Sequence, residues 1–183
     1  ALYVGRLVPE KRLDLLLRAW AKVPGERRLV VVAPLDGGRY ALACRRAAGA
    51  GVSFVGPRGG RTLRQLYAHA AMVVQPSALE GMSLVLLEAA AHGRCVLAAD
   101  IPANRAAMGE AILYFPVDDA DNLAAEICRL WEREDVRQEM GRRAGCRAAA
   151  GAGWPEVAER FERIYARLPQ RRSPCRKEPS RRG

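Results

Sequence analysis

Short apolar runs alternate with helical patterns from the start of the chain to residue 115. The apolar runs are too short for helices, and most are rich in β-branched or aromatic residues, which is typical of buried strands. They predict strands at 2–4, 29–33, 52–55, 72–75, 95–99 and 112–115. Helices are predicted between them at 11–23, 39–48, 62–71 and 83–92. Because strands that alternate with helices form parallel sheets joined by right-handed crossovers, we predict a doubly wound, Rossmann-like α/β fold of about six strands.

The pattern changes after residue 116, where the strand signals stop. Helices are predicted near 119–133, 135–150 and 155–168. Segment 101–110 predicts a loop with one helical turn. No linker divides the body of the chain, so we predict one domain over residues 1–168 that ends in these helices. The opening residues ALYVGR enter in mid-strand, so we expect an N-terminal portion of a longer protein to precede Ala1.

The net charge of +10 is unevenly distributed along the chain. The last fifteen residues, 169–183, hold six Lys or Arg and one Glu, which is +5 of the total. This segment has almost nothing apolar, so we predict a disordered basic tail. A basic nucleic-acid-binding module is therefore an alternative function from another class. No predicted helix carries a continuous basic stripe with interleaved aromatic residues, so we expect no nucleic-acid partner.

Cysteine and histidine are too sparse for a zinc site or a disulfide framework. The chain has five Cys without a CxxC spacing and two His, which favours a reducing cytoplasm. No apolar run approaches the ~18 residues that suggest a transmembrane helix. We predict a cytoplasmic protein whose basic tail can contact the anionic inner face of a membrane.

Charged residues follow the first and fourth predicted strands. The loop GRLVPEK contains Arg6 and Lys11, and the loop PSALEGM contains Glu80 and Gly81. Ligands of an open α/β sheet bind beyond the carboxyl ends of the strands, where the strand order reverses. Both loops open at that edge, so we predict two cations suited to a diphosphate and a carboxylate suited to sugar hydroxyls around one crevice.

The helix that begins after Gly81 can bind an anion at its N-terminus. The N–H groups near Met82, Ser83 and Leu84 have no partner within the helix, and the helix dipole favours negative charge there. Gly81 has no side chain, so the backbone can approach a ligand closely at this point.

Glu88 lies on the same helix among apolar residues. Leu84, Val85, Leu87 and Ala91 leave little polar face around it. A carboxylate repels phosphate, so we interpret Glu88 as an inward-facing group that binds a neutral diol such as a ribose. The open alternative for Glu88 is a position on a solvated helix face. For Arg6, Lys11 and Glu80, each taken alone, the alternative is a solvated loop side chain.

Three segments together resemble one known family. PSALEGMSLVLLEAAAHG contains Glu80 and Glu88 in an E-x7-E spacing, VGRLVPEKRLDLLLRAW contains Arg-x4-Lys, and VSFVGPRGGRTLRQLYAHAAMVVQPS precedes the first Glu. These residues resemble the "glycosyl transferases group 1" domain of glycosyltransferase family 4, whose members are retaining GT-B enzymes. The resemblance covers residues 1 to about 168 in order, and its terminal helices match as well.

The resemblance implies that the chain is the C-terminal, donor-binding half of a GT-B fold. The donor would be a nucleotide sugar such as a UDP-, GDP- or ADP-sugar. Arg6 and Lys11 would contact the diphosphate, Glu80 the donor sugar and Glu88 the ribose. The backbone around sugar and phosphate would come from Gly81, Met82, Ser83 and Leu84. The base would lie near Val55, Gly56 and Pro57.

The resemblance also implies a metal-independent transferase without a cofactor. The acceptor, a bacterial polysaccharide or lipid-linked glycan, would bind through an N-terminal domain, so this chain alone would bind donor without transferring sugar. Another GT-B sugar-nucleotide enzyme, such as an epimerase, is the alternative that keeps the fold.

Three positions depart from the family pattern. Arg12 and Ser83 stand where the family often has Gly, and IPAN at 101–104 replaces a common Gly-Gly pair.

The stretch DDAD at 118–121 has an Asp-x-Asp spacing that binds metal in other glycosyltransferases. Its place before a predicted helix favours an N-cap instead.

Overall fold

The computed structural model of the protein describes residues 1–35, 38–150 and 154–167. In these residues, six strands form one sheet in the order β3-β2-β1-β4-β5-β6. The strands are β1 (Leu2–Val4), β2 (Leu29–Val32), β3 (Val52–Phe54), β4 (Met72–Gln75), β5 (Cys95–Ala99) and β6 (Leu113–Phe115). All five neighbouring pairs are parallel. The predicted doubly wound α/β fold is confirmed.

Helices separate the strands and follow the last one. They are α1 (Leu13–Trp20), α2 (Gly38–Ala47), α3 (Gly60–His69), α4 (Leu84–Ala91), α5 (Pro102–Met108), α6 (Ala120–Glu132), α7 (Glu134–Ala149) and α8 (Trp154–Ala166). Two 3₁₀ turns occur at Pro9–Lys11 and Gly109–Ala111. Residues Ala1–Ala150 form one compact unit, and α8 is described by itself. The extension of this domain to residue 168 stays a prediction, and the predicted tail at 169–183 lies outside the described residues.

The strands are apolar because both faces of the sheet are covered. Along β4, Met72 and Val74 join one buried cluster and Val73 joins the other, as the two-residue period of a strand requires. The first cluster contains the buried faces of α1, α2 and α6, and the second contains those of α3 and α4.

The segment after β5 differs from its prediction as a loop with one helical turn. It forms α5 and a 3₁₀ turn. Pro102 lies in the first turn of α5, where its fixed φ favours a helix start. Asn104 is fully buried and donates from Nδ2 to the Ala99 carbonyl at 2.9 Å. The prediction was wrong because seven residues, PANRAAM, are too few to show a clear helical period.

Gly141 interrupts the apolar pattern of α7 but lies inside the helix. A Cβ at this position would lie 2.2 Å from the Gly93 carbonyl oxygen, which is closer than real Cβ contacts allow. Gly93 itself has a φ of 62° and follows the end of α4. The glycine therefore lets α7 pack directly against the turn that ends α4.

Candidate functional site

The loops after β1 and β4 meet at one edge of the sheet. These strands are neighbours, and the strand order reverses between them, which confirms the predicted switch point. The Ala78 amide donates to the Glu10 carbonyl at 3.0 Å. The two loops are therefore joined by a backbone hydrogen bond, although its two residues are 68 positions apart in sequence.

Lys11 and Glu80 form an ion pair at this junction. Lys11 Nζ donates to Glu80 Oε1 at 2.7 Å and to Oε2 at 2.8 Å. Only 18% of the Lys11 side chain and 7% of the Glu80 side chain are exposed. An ammonium group has three donors, so one N–H of Lys11 remains for a ligand after these two bonds.

Gln75 supports the same carboxylate from inside the sheet. Its Nε2 donates to Glu80 Oε1 at 2.7 Å and to Ser77 Oγ at 2.9 Å. Gln75 and Ser77 are both buried. Sequence reasoning missed Gln75, although a polar residue that closes the apolar strand MVVQ was a usable signal.

Glu80 is held in its ionised form. Burial acts to raise its pKa, but hydrogen bonds from Lys11, Ser77 and Gln75 and the charge of Lys11 more than offset this, so the pKa of Glu80 is lowered. The carboxylate therefore stays an acceptor at neutral pH and holds Lys11 by two of its protons.

Arg6 does not join this pair. Its side chain is 70% exposed and lies 3.5 Å from Glu10 Oε1. Its backbone carbonyl accepts a hydrogen bond from the Tyr3 hydroxyl at 3.1 Å, which anchors the loop. The structure therefore brings Lys11 and Glu80 together and leaves the guanidinium of Arg6 in solvent on the same loop.

The N-terminus of α4 lies directly after Glu80 in the chain. Ser83 is its N-cap residue, without a side-chain cap hydrogen bond. Ser83 is 4% exposed, and among the described residues its Oγ has no hydrogen-bond partner. Gly81, Met82 and Leu84 are exposed. The start of α4 therefore offers N–H groups without an intrahelical partner, a few residues after Glu80 in the chain.

Glu88 is an exposed residue, so the expectation that it faces inward is wrong. Helix α4 turns Leu86, Ala89 and Ala90 to the core, and these positions leave Glu88 on the opposite side. Its predicted contact with a ribose stays a prediction, because an exposed carboxylate can still meet a ligand.

The carboxylate of Glu88 nevertheless has a buried partner. The Tyr67 hydroxyl donates to Glu88 Oε2 at 2.8 Å. Burial, together with this carboxylate, raises the pKa of Tyr67, so its hydroxyl remains a donor. A cavity of about 320 Å³ lies between α3 and α4 here. It is lined by Gly60, Leu63, Arg64, Tyr67, Glu88, Ala91 and His92.

The loop proposed for the base follows β3 and leads into α3. The Val55 amide donates to the Val31 carbonyl at 3.0 Å. Gly56 is buried with a φ of 72°, a conformation that favours glycine. Pro57 is exposed. The role of Val55, Gly56 and Pro57 in base binding stays a prediction.

The backbone and the ion pairs of Arg12 show how an arginine fits where the family often has glycine. Its φ of 52° lies in the left-handed region, which glycine adopts most easily. Its guanidinium pairs with Asp118 and lies 3.7 Å from Asp14. The chain therefore keeps a glycine-type backbone turn with an arginine that is held by carboxylates.

The Asp-x-Asp stretch forms the predicted N-cap. The Asn122 amide donates to Asp119 Oδ1 at 2.8 Å at the start of α6. Asp118 pairs with Arg12, and Asp121 pairs with Lys22. Within 1–35, 38–150 and 154–167, no three His, Cys, Asp or Glu side chains come together as a metal ligand set.

Among the residues that the structure describes, no helix combines the length and the apolar character needed to cross a membrane.

Comparison with known proteins identifies similar sequences. A family model described as "Glycosyl transferases group 1" matches residues 1–133. The "D-inositol 3-phosphate glycosyltransferase" of Mycolicibacterium smegmatis is 31% identical over 173 residues. This match covers 90% of the chain and 39% of that protein. The chain therefore spans less than half the length of this curated relative.

Solved structures share the fold. Sucrose-phosphate synthase from Thermosynechococcus elongatus is 29% identical with a TM-score of 0.79, covering 90% of this chain and 44% of that one. Anabaena Alr3699/HepE in complex with UDP and glucose is 20% identical with a TM-score of 0.82, covering 91% of this chain and 48% of that one. The sheet and its flanking helices match those of GT-B glycosyltransferases.

Proposed function

Because the chain belongs to the glycosyl transferases group 1 family, we propose that it is the donor-binding part of a retaining glycosyltransferase. The enzyme would transfer a sugar from a nucleoside-diphosphate sugar to a glycan or lipid-linked acceptor. The relatives are more than twice as long as the matched region, so the acceptor would be bound by a further domain of the same protein.

One observation carries this proposal. A lysine and a carboxylate form a largely buried pair at the switch point of a doubly wound sheet, next to a helix N-terminus without a side-chain cap. Ligands of such sheets bind at this edge. A cation and free N–H groups suit a diphosphate, and an ionised carboxylate suits sugar hydroxyls.

The proposed mechanism follows from where charge develops. As the bond between sugar and diphosphate breaks, negative charge grows on the leaving diphosphate. Lys11 is already fixed by Glu80, and the N–H groups at the start of α4 are fixed by the helix. Such preorganised donors stabilise a transition state without reorganising. Arg6 would complete the set by turning its exposed side chain to the diphosphate.

Glu80 has two roles in this scheme. Its carboxylate keeps Lys11 in place, and the rest of its acceptor capacity would bind hydroxyls of the donor sugar. Glu88 would accept hydrogen bonds from the ribose, and the loop that contains Gly56 would hold the base. No step calls for a metal ion, because the cations and the helix supply the positive charge.

UDP is the first nucleotide to test. A protein with the same fold was solved in complex with UDP and glucose. We therefore propose a nucleoside diphosphate as the bound product and leave UDP, GDP and ADP as competing probes.

Thermal unfolding of this chain with UDP, GDP, ADP and NAD tests the proposal. A nucleotide at one hundred times its dissociation constant should add about 2.7 kcal/mol to the stability of the folded chain. We expect one nucleoside diphosphate to raise the unfolding temperature and NAD to have no effect. If no nucleoside diphosphate raises it, the proposed donor site is wrong.

A matched pair of variants localises the site. Lys11→Met should abolish most of the shift with the nucleoside diphosphate. Lys22→Met removes the same group from an exposed pair with Asp121 and should keep the shift. Equal loss in both variants would point to non-specific charge effects instead of a site at Lys11.

We also propose that the enzyme works in the cytoplasm and contacts the inner face of the membrane through its basic C-terminal segment. The +5 charge of residues 169–183 motivates this. Sedimentation with anionic vesicles checks it: the full chain should bind, and a chain ending at residue 168 should not. Equal binding of both chains would rule out this role of the segment.

A further inference from the structure

The hydrogen bond between Tyr67 and Glu88 joins two different environments. Tyr67 is 1% exposed and belongs to the core cluster with Leu86, Ala89 and Ala90. Glu88 is exposed and lines the cavity between α3 and α4. The hydroxyl of an immobilised side chain thus reaches outward to a carboxylate that solvent can reach.

Tyr67 is held from a second side as well. Its ring stacks on His92 with 5.5 Å between ring centroids and 11° between planes. Its backbone lies on α3, whereas Glu88 and His92 lie on α4 and at its end. The hydroxyl is therefore a fixed donor, while an exposed glutamate by itself has several side-chain rotamers.

The cavity reaches the start of α3, which follows the loop proposed for the base in the chain. Gly60, Leu63 and Arg64, from the first half of α3, line it opposite Glu88. The loop 55–57 lies just before α3 in the chain. A nucleoside whose base contacts this loop could present its ribose to Glu88 across the cavity.

We propose that Tyr67 is a positioning residue for ribose recognition. It holds Oε2 of Glu88 by a hydrogen bond, which orients the carboxylate and leaves Oε1 to accept from the ribose hydroxyls. This inference rests on the proposed function. It adds that Tyr67 strengthens the preference for a nucleotide with the ribose diol, because an oriented carboxylate lowers the ordering cost only for a ligand that bonds to it.

A purely structural role is the competing explanation. A buried tyrosine needs a hydrogen-bond partner, and Glu88 supplies one. That role predicts an effect of Tyr67→Phe on stability without selective loss for any nucleotide. The positioning role predicts a loss confined to nucleotides that carry the ribose diol.

Calorimetric titration of the full chain with UDP and with 2′,3′-dideoxyuridine diphosphate separates the two roles. For Tyr67→Phe we expect UDP binding to weaken about three- to tenfold, because the Glu88 side chain must then be ordered when the ligand binds. Binding of the dideoxy analogue should stay at the wild-type value. If GDP or ADP is the nucleotide that stabilises the chain, that nucleotide and its 2′,3′-dideoxy analogue replace the uridine pair.

Tyr114→Phe is the matched control. The Tyr114 hydroxyl donates to the Gly109 carbonyl at 2.7 Å, near the end of α5 and away from the cavity. Removing it should change the affinity for neither nucleotide. Thermal unfolding checks that each variant is folded. We expect both to fold, since Tyr67→Phe removes one oxygen and keeps the ring in the core.

A double variant tests whether Tyr67 acts through Glu88. In a Glu88→Ala background, the further change Tyr67→Phe should leave UDP affinity unaltered. Equal UDP affinity in Tyr67→Phe and wild type, or an equal loss for both nucleotides, overturns the positioning role while the proposed function stands. If the wild-type chain binds no nucleoside diphosphate, both inferences fall together.

Discussion

Glu80 and Glu88 lie eight residues apart in sequence and in opposite environments. The Glu80 side chain is almost completely buried and bonded to Lys11 and Gln75. Glu88 is exposed, and the Tyr67 hydroxyl contacts its carboxylate. Both carboxylates have a donor on another element of the fold, but within the described residues only the donors to Glu80 include a cation.

The difference separates two tasks that one sequence motif combines. A buried, ion-paired carboxylate fixes the position of a lysine, so its removal should disturb the fold and the site together. An exposed carboxylate adds little to stability, so its removal should show its effect only when a ligand is bound. Variants at each carboxylate and at its partners test this distinction, because the stability losses should differ between the buried and the exposed site.

Lys11→Met should have the largest effect on stability. It leaves Glu80 charged in a buried site, and breaking a buried ion pair in this way costs about 3–5 kcal/mol. Urea unfolding followed by fluorescence of the buried Trp20 measures the change. Lys22→Met, which breaks an exposed pair, should cost no more than about 1 kcal/mol. Similar losses in both variants would contradict the buried character of the Lys11–Glu80 pair.

Glu80→Gln should make stability less dependent on pH. The folded pKa of Glu80 is lowered below its ordinary value of 4.5, so its ionised form stabilises the fold fully above that value. This contribution is lost as the pH falls through the folded pKa. The stability difference between wild type and Glu80→Gln should therefore be constant from about pH 7 to about pH 5 and shrink as the pH falls below 4.5. Urea unfolding from about pH 7 to about pH 3 measures it, and a difference that stays constant over this whole range would argue against the lowered pKa.

Gln75→Leu should weaken the same carboxylate site by a smaller amount. It removes the Nε2 donor and leaves Lys11 in place, so we expect a loss of about 1–2 kcal/mol. The exposed Gln138 is the matched control, and Gln138→Leu should stay within about 0.5 kcal/mol of wild type. Chemical denaturation measures both. Equal stability of Gln75→Leu and wild type would mean that the hydrogen bond from Gln75 adds nothing to the site.

Arg12→Gly tests the backbone beside Lys11. Glycine removes the strain of a left-handed residue, which is roughly 1–2 kcal/mol, and it loses only partly exposed ion pairs. We expect a stabilisation of up to about 1 kcal/mol after that loss. Arg12→Ala loses the same ion pairs and keeps the strain, so it should destabilise. Thermal unfolding of the two variants separates backbone from side chain, and destabilisation by both would show that the ion pairs dominate.

Glu88→Gln should have the smallest effect on stability. The amide oxygen can still accept from the Tyr67 hydroxyl, and the residue is exposed. We expect a change within about 0.5 kcal/mol in urea unfolding. A loss as large as that of Glu80→Gln would remove the distinction between the two carboxylates.

Most of the fold could be predicted because its signals are local. Each strand is a short apolar run between turn residues, and the parallel arrangement follows from the alternation with helices. Helix α5 was missed because its start depends on Pro102 and its anchor on Asn104, which bonds to the end of a strand. Neither feature produces an apolar period.

The candidate site was predictable only in part. Lys11 and Glu80 lie near one another because β1 and β4 are neighbours, as in the usual strand order of a doubly wound sheet. Their hydrogen bonds, and those of Gln75 and Tyr67, join residues whose side-chain directions depend on packing. The position of the Arg6 side chain was not predictable either. Arg6 pairs with Glu10, four residues later, and stays in solvent outside the buried Lys11–Glu80 pair.

The residue order is thus sufficient for the sheet, its switch point and the loops that open there, since these depend on periodicity, chain direction and the handedness of crossovers. Packing assigns the two glutamates their environments. Glu80 is buried because the loops after β1 and β4 close over it with Lys11. Glu88 is exposed because α4 already uses its apolar side against the core. Such contacts span elements far apart in sequence, and only the folded chain brings their atoms within hydrogen-bonding distance.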